Sequence, residues 1–413
     1  MPSNSRSNPP WSPLAWTLAV AAYLLLNVLS QLAVSPTANF DQAEVLLLSQ
    51  DFRLGYTAQP PLYVWFTAAL DALLGPSLAA NMLFKALLLA ASTAVALLVL
   101  REAGGTRAQA AAMLAAFACI PTVIWESQRA LTHTSLAVLC VYATLWQLAR
   151  LRGSPTPGRY VLIGVLAGLA VLAKYNTALA LASLLMAMLA LPSWRGLLLS
   201  RQAGLTALAA AAVVAPHLGW LLNHPGALQP TIEKLESGRA VASRLRGLRD
   251  LLRSAVDFAG PLALTVLLAR ATGRVRAATA RTAPGMLVAT VTTARPAPAA
   301  SPPPADSPAA QLHALLSAQL LCGLLLTLLV VLWSGAGHFE ERWLLPVFVT
   351  LPLWVALSVR SARTRAWLAG VGLALACTAA VLLPGRVLLG ERPQRERPPL
   401  VSMPYRELAR QMR

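Results

Sequence analysis

The segment NFDQAEVLLLSQDFRLGYTAQPPL, residues 39–62, decides the fold because it places acids and a diproline directly after the first long apolar run. In hydrocarbon, irregular backbone is tolerated only where protein covers it or where it lines a cavity. We therefore expect this polar segment outside the bilayer core, where its carboxylates stay ionised and face water. The rest of the chain is expected to form the membrane scaffold around it.

The acids of this segment are spaced for one helical face. Asp41 and Glu44 stand three residues apart, which on a helix places both side chains on the same side. Residues 45–48 are apolar and can lie in the plane of the membrane interface. Pro60 and Pro61 then fix the backbone before an aromatic-rich stretch. Residues 35–83 are thus predicted to form a first outer loop with interfacial helices.

The composition indicates a multispanning α-helical membrane protein. The chain has 413 residues, of which 57% are hydrophobic and only 12% charged. Its net charge of +18 does not indicate nucleic-acid binding, because arginines clustered between apolar spans are the usual positive-inside signal. The four cysteines lie inside apolar runs without pairing or metal spacing, and we interpret them as small core residues.

Apolar runs predict about eleven transmembrane helices. They fall at residues 14–34, 84–100, 108–124, 135–149, 160–173, 177–191, 204–222, 258–269, 312–333, 344–359 and 366–383. Residues 62–74, interrupted by Asp71 and closed by Gly75 and Pro76, are interpreted as an interfacial helix rather than a further span.

The arginine distribution predicts the orientation. With the N-terminal residues 1–13 in the cytoplasm, the arginine-rich loops all fall on the cytoplasmic side. These are the loops that hold Arg101 and Arg107, then Arg150, Arg152 and Arg159, then Arg195 and Arg201, then Arg274, Arg276, Arg281 and Arg295, and lastly Arg360, Arg363 and Arg365. The first outer loop then lies on the opposite, periplasmic side, together with the short basic tail 385–413.

Two connections have distinctive compositions. Residues 272–311 contain PAPAASPPPADSP and are expected to be a disordered cytoplasmic linker. Residues 228–253 predict an amphipathic outer helix, with a basic face that includes Lys234 and Arg253 opposite a leucine face that includes Leu245 and Leu252. This face suits lipid phosphates, or it lies solvated on the headgroups without a specific ligand.

Four motifs together resemble a known family. They are DQAEVLLLSQDFRLGYTAQPPL (41–62), LAKYNTAL (172–179), PHLGWLLNHP (216–225) and HFEERWLLP (338–346). Their set, spread over residues 38 to about 359, resembles the GT-C glycosyltransferases of family 39. This family includes protein O-mannosyltransferases, lipid A aminoarabinose transferases and bacterial lipid A or core galacturonosyltransferases. The resemblance implies a GT-C transmembrane domain over residues 14–384 in the inner membrane.

The resemblance also implies the reaction. Such enzymes move a sugar from a polyprenyl-phosphate carrier to an acceptor on the outer face, here an envelope lipid such as lipid A or lipopolysaccharide core, a glycan or a protein. Asp41 matches the family's first-loop aspartate and would take the proton of the acceptor hydroxyl. Attack opposite the phosphate would invert the anomeric centre. The acid that commonly follows is Gln42 here, which leaves Glu44 as its substitute, and the basic residue before the diproline is Gln59.

Lys174 and Arg342 are the candidates for holding the lipid phosphate. Lys174, next to Tyr175, lies between two spans on the predicted outer side, where a lysine is costly without an anionic partner. Alternatively, it snorkels to the interface. Arg342 is interpreted as a ligand of phosphate or sugar that Glu341 orients, and the alternative is a structural ion pair at a helix start.

Four further outer residues, Tyr56, Gln59, His133 and Tyr175, are candidates for substrate contact. Tyr56 could stack on a sugar ring, or it lies at the headgroup level as an interfacial aromatic. His133 could contact the substrate, and with His217, His224 and an acid it could ligate a metal. Because the chain lacks HxxxH and HxH spacing, interfacial anchors are the favoured interpretation. No cofactor is assigned, and a divalent metal stays open.

Two other functions compete with glycosyl transfer. A transporter or flippase of lipid-linked substrates would need charged residues midway in spans and internal inverted repeats. The sequence shows no convincing repeat, and Lys85, near the start of a span, is the only notable intramembrane charge. A catalytically degenerate relative is the other alternative, because Gln42 and Gln59 depart from the family pattern.

Overall fold

The computed structural model describes residues 11–34, 37–56, 59–127, 130–235, 241–282, 304 and 306–389. Every regular element in these ranges is a helix. The α-helices are α1 Pro13–Val34, α2 Phe40–Leu48, α3 Leu62–Leu74, α4 Leu78–Glu102, α5 Arg107–Ala118, α6 Thr132–Gly153, α7 Pro157–Ala173, α8 Thr177–Ala190, α9 Pro192–Leu198, α10 Ala203–Asn223, α11 Gln229–Glu233, α12 Val241–Thr282, α13 Pro308–Ser334, α14 Leu345–Phe348, α15 Leu351–Ser358 and α16 Ala362–Leu389. Short 3₁₀ or π turns lie at Thr122–Glu126, Pro225–Leu228 and Glu341–Trp343.

Seven of the described helices are long and apolar enough to cross a membrane. They are α1, α4, α6, α10, α12, α13 and α16. The pair α8 and α9, bent by 114° at its break, adds an eighth if it forms one span. Three shorter apolar segments, Leu62–Leu74, Pro157–Ala173 and Leu345–Ser358, fall below the length of a span. The described chain is therefore an all-helical membrane protein with seven or eight candidate spans.

The structure does not reproduce the predicted count of about eleven spans. The run 108–124 forms only the 12-residue helix α5, which ends before Pro121, and a π turn then follows. The run 344–359 is divided into α14 and α15, and a proline stands near the start of each. Hydropathy alone cannot detect such breaks, because the residues on both sides of them are equally apolar.

Local capping signals set several helix starts. Asn39 and Gln42 form a reciprocal capping box on α2, and Thr106 and Gln109 form another on α5. Ser77 accepts a hydrogen bond from the backbone of Ala80 at the start of α4. Gln42 is thus used to cap the helix that carries Asp41.

Helix occupies both ends of the linker predicted at 272–311. The 42-residue helix α12 continues to Thr282, and α13 begins at Pro308. Residues 283–303, which hold most of the proline-rich sequence, lie outside the described residues. The tail 390–413 lies outside them as well.

The basic segment 228–253 is not one continuous helix. Lys234 follows the five-residue helix α11, and α12 begins separately at Val241. On α12, Arg246 and Arg253 are exposed, but so are Leu245 and Leu252, while Ser243 and Leu251 are buried. The face that α12 buries is therefore not the predicted leucine face. Lys234 lies outside α12 and does not share a helix with Arg246 and Arg253.

Helices α7 and α10 pack closely at two glycines. A Cβ added at Gly164 would lie 2.2 Å from the carbonyl oxygen of Thr206, and one added at Gly168 would lie 3.0 Å from that of Ala210. Small residues four apart allow two membrane helices to approach backbone to backbone. This packing fixes the end of α7, where the turn carrying Lys174 begins.

The arginine-rich loops lie at one end of the bundle. The Trp11 indole donates to the carbonyl of Gly105 at 2.7 Å, Arg150 approaches Glu102 at 3.9 Å, and Arg152 donates to the carbonyl of Ser193. These residues sit at the ends of α4 and α6, whereas α6 begins near the first outer loop. The 22 residues of α6 span about 33 Å. The first three of the predicted cytoplasmic loops, together with the start of α1, are therefore gathered at the end opposite the first outer loop.

The first outer loop is fastened to the bundle by side chains. Ser49 donates to the carboxylate of Asp71 at 2.6 Å, which joins the end of α2 to α3. The ring of Trp220 lies so close to Gly55 that a Cβ there would sit 2.1 Å from it. The loop therefore needs glycine at this position to rest on α10.

Candidate active site

A cavity of about 510 Å³ lies at the end of the bundle opposite the arginine-rich loops. It is bounded by α2, the start of α6, the turn between α7 and α8, the end of α11 and the segment before α14. Seven of the nine residues predicted for the site line it, namely Asp41, Glu44, Gln59, His133, Lys174, Tyr175 and Arg342. Residues far apart in the sequence are thus brought to one cavity.

Asp41 is held by the backbone of α6. It lies in the first turn of α2, and its Oδ2 accepts a hydrogen bond from the N–H of Leu131 at 3.1 Å. Within the described chain, Oδ1 has no hydrogen-bond donor. One oxygen is therefore anchored while the other can receive a proton from a bound hydroxyl.

Glu44 lines the same cavity one turn further along α2. Burial raises the pKa of its carboxyl, Asp41 adds to this effect, and the Lys234 ammonium opposes it. Gln42 does not line the cavity, since its side chain is buried in the capping box with Asn39. Glutamine in place of an acid at position 42 therefore does not change the set of carboxylates that line the cavity.

Lys174 points from the turn between α7 and α8 to the start of α6. Its Nζ donates to the hydroxyl of Thr134 at 2.6 Å. The side chain is half-buried and lines the cavity, and its ammonium group is bonded to a protein hydroxyl. Burial lowers the pKa of Lys174 to about 8, and the Arg342 guanidinium adds to this lowering. Snorkelling to the interface is therefore wrong as a description of this lysine.

Arg342 is oriented by Glu340 and not by Glu341. The Arg342 guanidinium donates to Glu340 Oε2, while Oε1 of the same carboxylate lies 3.4 Å from His338. Burial tends to raise the pKa of Glu340, but the bond and charge of Arg342 outweigh it and hold the pKa below its usual value. Glu341 does not line the cavity: it begins a 3₁₀ turn, where burial and the carboxylates of Asp257 and Glu126 raise the pKa of its carboxyl.

Tyr175 connects the cavity to the first outer loop. His217 Nδ1 lies 2.9 Å from the carbonyl oxygen of Leu54, so this nitrogen carries the proton and donates. His217 Nε2 then accepts from the Tyr175 hydroxyl at 3.0 Å. Burial raises the pKa of Tyr175 to about 12, which keeps it protonated. His217 is thus a structural link, and the metal-ligand interpretation is not needed to explain it.

Tyr56 does not line the cavity. Its ring is buried, and its hydroxyl donates to the carbonyl of Asp51 at 2.8 Å and accepts from the N–H of Arg53 at 3.3 Å. These contacts close the short loop that follows α2. The interpretations of Tyr56 as a sugar-stacking ring and as an exposed interfacial aromatic are both contradicted by this position.

His133 forms part of the cavity wall and is buried. Its Nδ1 lies 3.2 Å from the hydroxyl of Thr132, and its ring packs on Tyr63 with centroids 5.3 Å apart. Among the described residues its Nε2 has no hydrogen-bond partner. The same part of the chain holds no group of three His, Cys, Asp or Glu side chains close enough to bind a metal ion.

Sequence reasoning missed two participants. Lys234 is exposed and lies at the edge of the cavity, although the sequence placed it on a lipid-facing helix. Glu340 lines the cavity in the position expected for Glu341. A compositional signal could have drawn attention to Lys234, because only three of the 34 basic residues are lysines. Two of the three line this cavity.

Comparison with known proteins gives consistent results. Residues 58–220 match the family model described as dolichyl-phosphate-mannose-protein mannosyltransferase. The chain is 31% identical over 359 residues to the lipopolysaccharide core galacturonosyltransferase RgtB of Rhizobium johnstonii, with 84% of this chain and 66% of the relative covered. It is 28% identical to RgtA of the same organism, with 84% and 64% covered. The chain thus spans slightly less than two thirds of the length of these relatives.

A solved structure has the same fold. The crystal structure of ArnT from Cupriavidus metallidurans bound to undecaprenyl phosphate matches with a TM-score of 0.56. The match covers 92% of this chain and 78% of that protein at 15% sequence identity. At this identity the likeness concerns the arrangement of the helices and not the ligand.

Proposed function

Because the chain belongs to the GT-C glycosyltransferases of family 39, we propose that it transfers a sugar from a polyprenyl-phosphate donor to the lipopolysaccharide core. The observation that carries this proposal is the gathering of Asp41, Lys174 and Arg342 around one cavity. A carboxylate and two cations are the groups that such a transfer requires. The names of the two relatives suggest galacturonic acid as the sugar.

Asp41 acts as the general base in this proposal. The acceptor hydroxyl oxygen attacks the anomeric carbon, the bond from that carbon to the phosphate oxygen breaks, and the phosphate leaves with the electron pair. Asp41 takes the hydroxyl proton through Oδ1, since Oδ2 is engaged by Leu131. A single displacement inverts the anomeric centre and needs no carboxylate nucleophile.

Lys174 and Arg342 stabilise the leaving group. A sugar phosphodiester carries one negative charge, and the polyprenyl phosphate that departs gains a second. Fixed cations aimed at such developing charge lower the barrier without reorganisation. The hydrogen bond from Lys174 to Thr134 and the pairing of Arg342 with Glu340 hold the two side chains in place for this role.

Lys234 favours an acidic sugar. A galacturonosyl donor carries a carboxylate in addition to its phosphate, so it needs a third cation that is not committed to the leaving group. Lys234, exposed at the edge of the cavity, supplies an ammonium group for that carboxylate. This makes a uronic acid a better fit than a neutral hexose.

We place the cavity on the periplasmic face of the inner membrane. The arginine-rich loops lie at the other end of the bundle, which is the cytoplasmic end by the positive-inside rule. In this arrangement residues 1–13 are cytoplasmic, residues 14–384 form the transferase domain, and the tail 385–413 is periplasmic. About eleven crossings would result if α5, α7 and the pair α14 and α15 also cross, with Leu62–Leu74 remaining interfacial.

Deletion of the gene is expected to remove hexuronic acid from the lipopolysaccharide core. Mass spectrometry of core, lipid A and glycoproteins from the deletion strain measures this loss directly. A plasmid copy of the wild-type gene should restore the missing hexuronic acid. A copy carrying Asp41→Asn at equal membrane abundance should not restore it, because the reaction requires Asp41. Unchanged core, lipid A and glycoproteins in the deletion strain would overturn the proposal.

A further inference from the structure

One peptide group lies between a buried ammonium and the carboxylate of Asp41. Lys85 Nζ donates to the carbonyl oxygen of Ala130 at 3.2 Å. The N–H of Leu131 donates to Asp41 Oδ2 at 3.1 Å. This carbonyl and this N–H are the two ends of the same peptide bond. Lys85 and Asp41 are therefore joined through a single planar amide.

Lys85 is buried inside the helix bundle. It lies near the start of α4 with only 3% of its surface exposed. An ionisable residue at such a position is costly to bury and is a candidate for a functional role. In the mechanism described above it contacts neither the donor nor the acceptor, since it does not line the cavity.

Leu131 has an unusual backbone conformation. Its φ of 68° is the only positive φ at a non-glycine position in the described part of the chain. A side chain with a Cβ is sterically disfavoured in this left-handed region, and such strain persists where the surroundings over-determine it. Leu131 immediately precedes α6, and this conformation turns its N–H toward Asp41.

The cation on the carbonyl side strengthens the hydrogen bond on the other side. A positive charge at an amide oxygen polarises the group, and linked hydrogen bonds in a low-dielectric interior reinforce one another. The Leu131 N–H thereby becomes a better donor to a carboxylate. The hydrogen bond from Lys85 to the Ala130 carbonyl also holds this peptide plane in the orientation that goes with the left-handed conformation of Leu131.

We propose that Lys85 is a positioning residue that orients Asp41 through the Ala130–Leu131 peptide. The proposal rests on the function proposed above, in which Asp41 is the base. All three lysines of the chain, Lys85, Lys174 and Lys234, would then serve the same site. The competing explanation is that Lys85 only ties α4 to the segment before α6 and affects stability alone.

The first test separates turnover from donor affinity. Lys85→Met keeps the stem and removes the charge, so kcat for transfer from polyprenyl-phosphate galacturonic acid should fall about 10- to 100-fold while the donor KM changes less than about twofold. Lys85→Arg retains a cation and should recover part of kcat. A normal kcat in folded Lys85→Met protein, or a loss confined to the donor KM, would overturn the proposal.

The second test uses two substitutions of Leu131, one that preserves its backbone conformation and one that preserves its side-chain volume. Leu131→Gly keeps the N–H and tolerates a positive φ but loses buried side-chain volume. Leu131→Ile keeps the volume, but its branched Cβ opposes the left-handed conformation. If the peptide orients Asp41, the glycine variant has the higher kcat of the two, even though it is the less stable. The reverse order would show that only packing matters and would contradict the proposal.

The third test distinguishes this inference from the proposed function. In an Asp41→Asn background, Lys85→Met should cost no more than about twofold further, because the base it positions is already absent. A severe loss in Asp41→Asn with full additivity of the Lys85 effect would refute positioning and leave the function standing. Normal transfer by Asp41→Asn alone would refute the function itself.

Discussion

Asp41→Asn is expected to lower the turnover of sugar transfer by about 10²- to 10⁴-fold while folding and donor binding stay nearly unchanged. The amide oxygen of asparagine can still accept the hydrogen bond from the Leu131 N–H, so the side chain keeps its place. It cannot take a proton from the acceptor hydroxyl. Initial rates with purified protein, together with a separate measurement of donor binding, test both halves of this expectation.

Glu44→Gln is the matched control. It makes the same chemical change on the same helix and the same cavity. If Asp41 is the base and Glu44 lines the wall, the loss in turnover should stay below about fivefold. A loss as severe as that of Asp41→Asn would mean that Glu44 supplies the family's second acid. Normal turnover in Asp41→Asn would remove the catalytic assignment of Asp41.

Lys174→Met is expected to weaken apparent donor affinity by one to two orders of magnitude. This corresponds to about 1.5–3 kcal/mol for a charge-assisted contact with the lipid phosphate. Methionine retains the unbranched stem, so packing around Thr134 and the turn is largely preserved. The measurement is kcat/KM for the donor in detergent at equal protein concentration. Unchanged donor dependence would leave Lys174 with a structural role only.

The pH dependence of the reaction provides a second test of Lys174. Because its pKa is lowered to about 8, the side chain is a cation below that pH and becomes neutral above it. Wild-type kcat/KM for the donor should therefore fall as the pH rises through about 8. In Lys174→Arg the guanidinium stays protonated, and this alkaline limb should disappear or move to higher pH. An identical alkaline limb in both proteins would assign it to another group.

Part of this site could be read from the sequence because its chemistry is unusual for a membrane protein. Asp41 and Glu44 stand out in a polar loop after an apolar run, and Lys174 stands out because a lysine on the outer side opposes the inside-positive bias. Both acids and the lysine line the cavity. Residue type and local context were sufficient for these three.

The remaining features depend on tertiary structure. The sequence cannot show whether Arg342 turns to Glu340 or to Glu341, because both acids are adjacent and the choice depends on where the 3₁₀ turn begins. Tyr56 was misassigned because an aromatic after glycine is equally compatible with a sugar contact and with a buried loop closure. The backbone donor at Leu131 carries no side-chain signal at all.

The most direct measurement is sugar transfer by purified wild-type protein in liposomes that contain polyprenyl-phosphate galacturonic acid, with lipopolysaccharide core as the acceptor. Nuclear magnetic resonance of the product gives the configuration of the new linkage. The account predicts a new glycosidic bond whose anomeric configuration is opposite to that of the donor, with release of polyprenyl phosphate. Movement of the intact lipid-linked sugar across the bilayer without a new bond would contradict it and would favour a flippase.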